Sequence, residues 1–242
     1  MDRPRSTPIV LLVLVALTFP LLAACASPPE QQLLRKYFQA SRMRDNMTLA
    51  NIATVSFNPT EQGIVQSFDV TSVGAEERRT LRLKELAAAF ETARSADEEF
   101  NKRKKEYQDA NLEAIERVLS AENANQPIPR RDQAVKDAWD KWRAELADHA
   151  RKLTEARQAL SAERALVEPS VFDPQGPAID VTQFEGELIT KSVEFSAKVR
   201  KGEGAAEDKQ MHARFSKAVL TGGPEGRSVE GRWMITQIGG HD

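Results

Sequence analysis

The chain has 242 residues, with 34 lysines and arginines set against 36 aspartates and glutamates, for a formal charge of −2. A balance so near neutral excludes nucleic acid as a partner, because phosphate binding needs a clustered basic surface. Charged residues make up 29% of the chain and aromatics only 6%, which favours long solvated helices over one large core.

Arg3 and Arg5 open the chain, and Ile9 to Ala24 is apolar apart from Thr18, with Pro20 interrupting it. That stretch is shorter than the roughly 20 residues of a membrane-spanning helix but fits the apolar core of a secretory signal peptide. It ends in Leu22-Ala23-Ala24-Cys25, where Cys25 is the one cysteine, so no intramolecular disulfide can form. The tetrapeptide resembles the lipobox of bacterial lipoproteins. The resemblance implies cleavage before Cys25, diacylation of its thiol and acylation of the new amino terminus. Two or three acyl chains hold a protein at a membrane where one does not. Because residue 26 is alanine and not the aspartate that retains such proteins at the inner membrane, the resemblance implies an outer-membrane anchor facing the periplasm.

Ser27-Pro28-Pro29-Glu30 reads as a capping box with proline in the first turn. The helix that follows places Leu33, Leu34, Tyr37 and Phe38 on one side, and Leu49, Ile52 and Ala53 suggest a second, short helix. Ile64, Phe68 and Val70 then share one face of a strand, with Val65, Ser67 and Asp69 opposite and Gly63 and Gly74 as brackets.

Between Gly74 and Gly176 there is no glycine, and Pro127 and Pro129 are the only prolines between Pro59 and Pro169. Two long helices joined near residues 123–129 are predicted. The second carries a heptad seam of Val135, Trp139, Trp142, Leu146, His149, Leu153, Ala156, Leu160, Glu163 and Val167. The first has Leu83, Leu86, Phe90, Ala93, Phe100 and Tyr107 in the same rhythm, then drifts by about a residue to Leu112, Ile115 and Leu119. Folding back near residue 126 pairs Trp139 and Trp142 with Leu112 and Ile115, Leu153 with Phe100, and Val167 with Leu86. Ile128 is expected to be exposed at the tip. Glu98/Lys102, Glu99/Arg103, Glu113/Arg117 and Asp137/Lys141 are expected acid-first pairs on exposed faces. The expectation is an antiparallel coiled-coil hairpin.

After a Pro/Gly linker at 168–185 the period returns to two. Val193, Phe195, Ala197 and Val199 share one strand face, Met211, Ala213, Phe215 and Val219 another, and Trp233 and Ile235 a third. One strand is thus expected before the hairpin and about three after it. The layout is a signal peptide at 1–24, an α+β base from 25–74 and 186–240, and the hairpin inserted at 75–167. The base core is expected from Leu33, Tyr37, Phe38, Phe68, Phe195, Phe215 and Trp233.

The capped helix, the Gly63–Gly74 strand, two long antiparallel strands and the closing Gly231-Arg232-Trp233-Met234-Ile235 resemble the nuclear transport factor two-like (cystatin-like α+β) fold. The resemblance implies a helix packed on a curved antiparallel sheet that encloses a cone-shaped cavity. Enzymes of that fold place an Asp/His pair or a lone acid in the cavity. Here His149 lies on the hairpin seam and His241 in the terminal tail, while His212, with Asp69 the nearest acid by strand layout, reads as part of a solvated outer face. No His/Cys spacing suits zinc, and no cofactor is called for. Gly202-Glu203-Gly204 reads as a turn, and Lys102-Arg103-Lys104-Lys105 as a solvated helix face. The sequon Asn46-Met47-Thr48 and the polyproline match Pro174-Gln175-Gly176-Pro177 carry little meaning in such a chain.

The sequence reading is therefore a non-enzymatic, lipid-anchored envelope protein, held at the membrane through Cys25, whose hairpin contacts another envelope protein or a second copy. A small-ligand site or active site in the α+β cavity is the alternative. A third reading comes from resemblance to the periplasmic adaptors of efflux pumps, which also carry a lipobox and a hairpin set in a β domain.

Overall fold

A computed structural model describes residues 28–240 of the chain. Cys25, the rest of the lipobox (Leu22, Ala23, Ala24), Ser27 and His241 lie outside the described residues.

The chain is α+β. In order come α1 (Pro29–Met43), α2 (Asn46–Ile52), α3 (Pro59–Gln62), β1 (Ile64–Val73), β2 (Glu77–Thr80), α4 (Leu83–Ala110), α5 (Leu112–Asn123), α6 (Gln133–Val171), β3 (Glu185–Arg200), β4 (Ala206–Thr221), β5 (Val229–Glu230) and β6 (Met234–Gly240). One sheet has the order β1-β3-β4-β5, with β2 also on β3 and β6 also on β4. Two strands precede the helices instead of one. The expectation missed β2 because Glu77-Arg78-Arg79-Thr80 is exposed throughout and has no apolar alternation to betray it. Its strand state comes from antiparallel pairing with Glu187–Thr190 of β3.

The chain divides into two compact units, and the two long strands β3 and β4 each contribute to both. The first comprises described residues 28–73, Val193–His212 and residues 238–240. Its core starts with α1. Proline at the first helical position preorganises the turn; Pro28 is the N-cap and supplies no side-chain cap, and the Ser27 of the expected capping box lies outside the described residues. Leu34, Tyr37, Phe38 and Ser41 recur at three- and four-residue spacing and are all buried, while Leu33 is half-buried. The helix stops where Arg44 turns left-handed (φ 55°), with Asp45 N–H donating to Ala40 and Arg44 N–H to Ser41.

Phe38 sits at the hub of this unit, with ring centroids 5.5 Å from Tyr37, 5.5 Å from Phe57, 5.5 Å from Phe68 and 5.9 Å from Phe195. The Ser41 hydroxyl donates to the Phe57 carbonyl at 2.7 Å. On β1 a bulge at Gln66 opposes the Val65–Val199 and Ser67–Lys198 pairs. The extra residue shifts the strand's parity, so Val65 is buried with the Phe68–Val70 face, and Ile64 is not part of it.

The Tyr37 hydroxyl donates to the Val55 carbonyl at 3.1 Å, and burial pushes its phenol up to about 12. The unfolded phenol ionises near 10. The raised value therefore stabilises the fold fully below that pH, and the contribution is lost as pH climbs from about 10 towards 12. Denaturant midpoints are expected to fall over that range, and to fall less for Tyr37→Phe. Two chains falling in parallel would show that Tyr37 is not the group responsible.

The second unit comprises Gly74–Ser192 and Ala213–Gln237. Its helices run antiparallel. Arg157 lies over the Phe90 ring, His149 stacks on Phe100 with centroids 4.6 Å apart, and Trp142 meets Phe100 at 5.4 Å and Tyr107 at 5.8 Å. Phe100 thus faces His149 and not Leu153, one helical turn from the expected register. Arg117 sets the offset from the tip by gripping Asp132 with two hydrogen bonds, at 2.8 and 3.1 Å.

The first of the two helices is also broken. Asn111 leaves helical geometry (φ −126°, ψ 18°) and its side-chain amide donates to the Tyr107 carbonyl. That break is the drift seen in the heptads: the inward positions step four and four through half-buried Tyr107 and Asn111 to buried Ile115. Ile115 and Val118 are consequently buried, Leu119 is half-buried, and Leu112, expected on the seam, is 55% exposed. Ile128 at the tip is half-buried, not exposed.

At the root, Leu81, Leu83, Val167 and Val171 form one core with Val181, Phe184, Leu188, Ala218 and Leu220 of the same unit. The hairpin therefore shares its root core with strand residues, where the sequence suggested a private one. Val167 joins Leu83 there in place of the expected Leu86. On β4 the buried side changes after Phe215, so Ala218 and Leu220 face inward and Val219 is half-buried. Helix α6 runs through Pro169 to Val171 instead of stopping at Val167, because Ser170 in its last turn is built into the sheet. The Ser170 hydroxyl accepts from Ala218 N–H at 3.0 Å and donates to the Arg232 carbonyl at 2.9 Å. Trp233 is not a core residue. It is half-buried, with Lys191 and Lys217 at 4.2 and 5.3 Å from its ring.

Candidate functional site

The hairpin seam is internally satisfied. Phe100, Ile115 and Trp139 are buried, and Leu86, Phe90, Tyr107, Trp142, Leu146, Leu153 and Leu160 are half-buried between the helices. Lys104 and Arg143 cover the Trp139 ring. Lys104 is thus drawn from the supposedly solvated basic run into packing, with its stem over apolar surface and its charge over a π face.

Ion pairs lace the outer surface, though not the expected ones. Arg117 turns to Asp132 and Lys141 to Glu145, while Arg94, Lys105, Arg151 and Lys152 find acids three or four residues away. Leu112 interrupts that polar surface, and it stands where the helix breaks.

Glu163 is the acidic residue of the α6 seam. Arg79 donates to both its oxygens, at 2.9 and 3.2 Å, and Arg82 N–H donates at 2.9 Å. Burial would raise its carboxyl, but the Arg79 guanidinium and the Arg82 N–H together hold it below the usual range. Asp132 is likewise held low by Arg117, Glu122 by Arg143 and Lys136, and Glu230 by Lys217. Each of these acids is fixed by a structural cation, and each shifts away from the neutral range a general acid or base needs. They belong to the architecture.

The histidines follow suit. His149 stacks on Phe100 inside the hairpin. His212 is half-buried beside Gly239. Asp69, its expected neighbour, sits opposite Ser196 on β3. Among the described residues no group of three His, Cys, Asp or Glu side chains is placed to hold a metal ion. None of the described helices is long and apolar enough to cross a membrane.

No family model, curated protein or solved structure matches this chain. Its function has to be read from its own geometry.

The first unit has open hollows on its surface. A cleft of about 620 Å³ has Phe57, Val199 and Met211 as its apolar lining and Glu61, Lys201, Asp208 and Lys209 at its rim. A groove of about 340 Å³ runs between α1 and β1, floored by Phe38, Val65 and Phe68 and flanked by Arg35 and Arg42. Both are open to solvent. Phe38, Phe57 and Phe195 are buried in the core of the same unit.

The missing glycines and prolines point to the long helices, but the exposed Leu112 and the α1 arginines are not singled out by the sequence. The four-and-four step at Tyr107–Asn111–Ile115 was the available signal for the first. A heptad frame carried across it treats the helix as continuous.

Proposed function

We propose that this is a non-enzymatic, lipid-anchored envelope lipoprotein whose helical hairpin is a protein-contact arm. The hairpin is an antiparallel coiled coil with one stutter, and the α+β part is a nuclear transport factor two-like support for it. One observation carries this reading: the arm spends most of its aromatic and aliphatic side chains on each other and leaves Leu112 exposed where the helix breaks, with Leu166 the other exposed leucine near its root. Helix α6 has 39 residues, about 58 Å of helix. A two-helix arm of that length has no interior for a substrate, so its use lies on its surface. Leu112, with Glu113 and Glu116 beside it, is the contact point, and the partner is another envelope protein or a second copy of the chain. The aromatic filling of the first unit supports reading that unit as scaffold ahead of ligand vessel.

The test is photocrosslinking in intact cells from a photoreactive residue at position 112. A discrete adduct is expected, and Cys25→Ser should abolish it by releasing the chain from the membrane. Adduct no stronger than that from a control position at Lys201 would overturn the contact, and adduct undiminished by Cys25→Ser would overturn the anchor's part in it.

A further inference from the structure

The two most exposed large apolar side chains of the described residues lie four positions apart. Met43 is 68% exposed at the end of α1, and Met47 is 81% exposed at the start of α2. Around them α1 and its cap carry Arg35, Lys36, Arg42 and Arg44, all exposed. None of these four cations meets a carboxylate among the described residues, in contrast to the arginines that lace the hairpin. The helix's own acid, Glu30, is buried, and Asp45 is occupied in capping α2 through Thr48.

The positions form rows. Lys36 and Met43 are seven residues apart and stack on the side opposite the inward Leu34–Tyr37–Phe38–Ser41 face, while Arg35 and Arg42, also seven apart, stack along its flank beside the β1 groove. A polar surface with free cations and two flexible thioethers fits an interface between water and acyl chains, where the cations meet lipid phosphates and the methionines enter the headgroup boundary.

We infer that this face, from Arg35 to Met47, docks on an anionic phospholipid bilayer. The inference goes beyond the anchor reading and rests on it only for position. Cys25 precedes Pro28 by three residues, and such a tether reaches no more than about 10 Å. Acyl chains on Cys25 would therefore hold the start of α1 at the headgroups. The helix is 15 residues long, about 22 Å, so lying along the surface brings its Met43 end down as well. The anchor then supplies attachment, and the face supplies orientation.

Methionine oxidation tests this on the full chain. Vesicles of phosphatidylcholine alone and of phosphatidylcholine with phosphatidylglycerol are mixed with the protein, flotation is recorded, and sulfoxide formation under brief peroxide exposure is read residue by residue by mass spectrometry. Met211 and Met234, both buried, are the internal references. The phosphatidylglycerol vesicles are expected to slow oxidation of Met43 and Met47 several-fold, and high salt or the double variant Arg35→Glu/Arg42→Glu to restore it.

Met43 and Met47 oxidising there at the vesicle-free rate would overturn the docking face. Equal protection on phosphatidylcholine alone would overturn its preference for anionic lipid. Flotation with phosphatidylcholine reads the acyl anchor separately. A chain that floats with both methionines unprotected keeps the anchor and loses the face, whereas one that does not float on phosphatidylcholine yet is protected on phosphatidylglycerol does the reverse.

Discussion

Phe195→Ala is expected to destabilise the protein by about 3–5 kcal/mol, the range for removing a buried phenyl ring. Phe195 is wholly buried and lies 5.9 Å from Phe38 and 6.0 Å from Phe68, so two rings lose their neighbour at once. Its neighbours cannot close the gap cheaply. Phe38 is held on a helix that Ser41 and Tyr37 tie to the segment ahead of β1, and Phe68 is fixed by the antiparallel register of β1 with β3. Since whole domains are stable by only about 5–15 kcal/mol, this single change should consume a large share. Chemical denaturation of the two chains measures it. A loss under about 1 kcal/mol, ordinary for a surface change, would mean that the aromatic hub is not a packed core.

The second large effect separates the root of the hairpin from its length. Replacing residues 80–165 with a Gly/Ser linker is expected to unfold the second unit. The cut removes Leu81 and Leu83 from the root core and takes Glu163 away from Arg79. Each buried leucine lost costs about 2–5 kcal/mol, and together these losses rival the stability of a whole domain.

Cutting higher should be tolerated. Removing residues 101–148 and joining Phe100 to His149 through a short linker keeps that stacked pair and everything beneath it. Loop closure costs little. Circular dichroism and thermal melts of the two shortened chains should differ sharply, the long cut losing strand signal and cooperativity and the short cut losing helix alone. If the long cut folds as well as the short one, the root core does not hold the sheet, and the helices are dispensable throughout.

The buried seam of the long helices is legible in the sequence, but the candidate contact site is not. Trp139, Phe100 and Ile115 follow from heptad spacing, and spacing depends only on the 3.6-residue turn. The exposed Leu112 was not legible, although its sequence context was. A heptad reader carries the seam across Asn111, whereas the chain breaks there because the Asn111 side chain bonds back to Tyr107 and the helix restarts one residue on. The free arginines of α1 show the same limit from the other side. Sequence gives their number, but whether Arg35 or Lys36 finds an acid depends on what the fold brings near.

The sequence by itself determined the α+β class, the long helices free of internal glycine, and the strand faces Val193–Val199 and Met211–Phe215. These rest on local periodicity, set by backbone geometry within a few residues. Tertiary structure alone decided the rest. Pairing with β3 made a strand of the polar Glu77–Thr80 segment. The bulge at Gln66 put Val65 inside in place of Ile64. The Arg117–Asp132 grip moved the helix register by a turn, and Ser170, bonded to Ala218 and Arg232, carried α6 past Pro169. Each of these joins residues far apart in sequence or shifts parity by a single position, and local spacing holds no record of either.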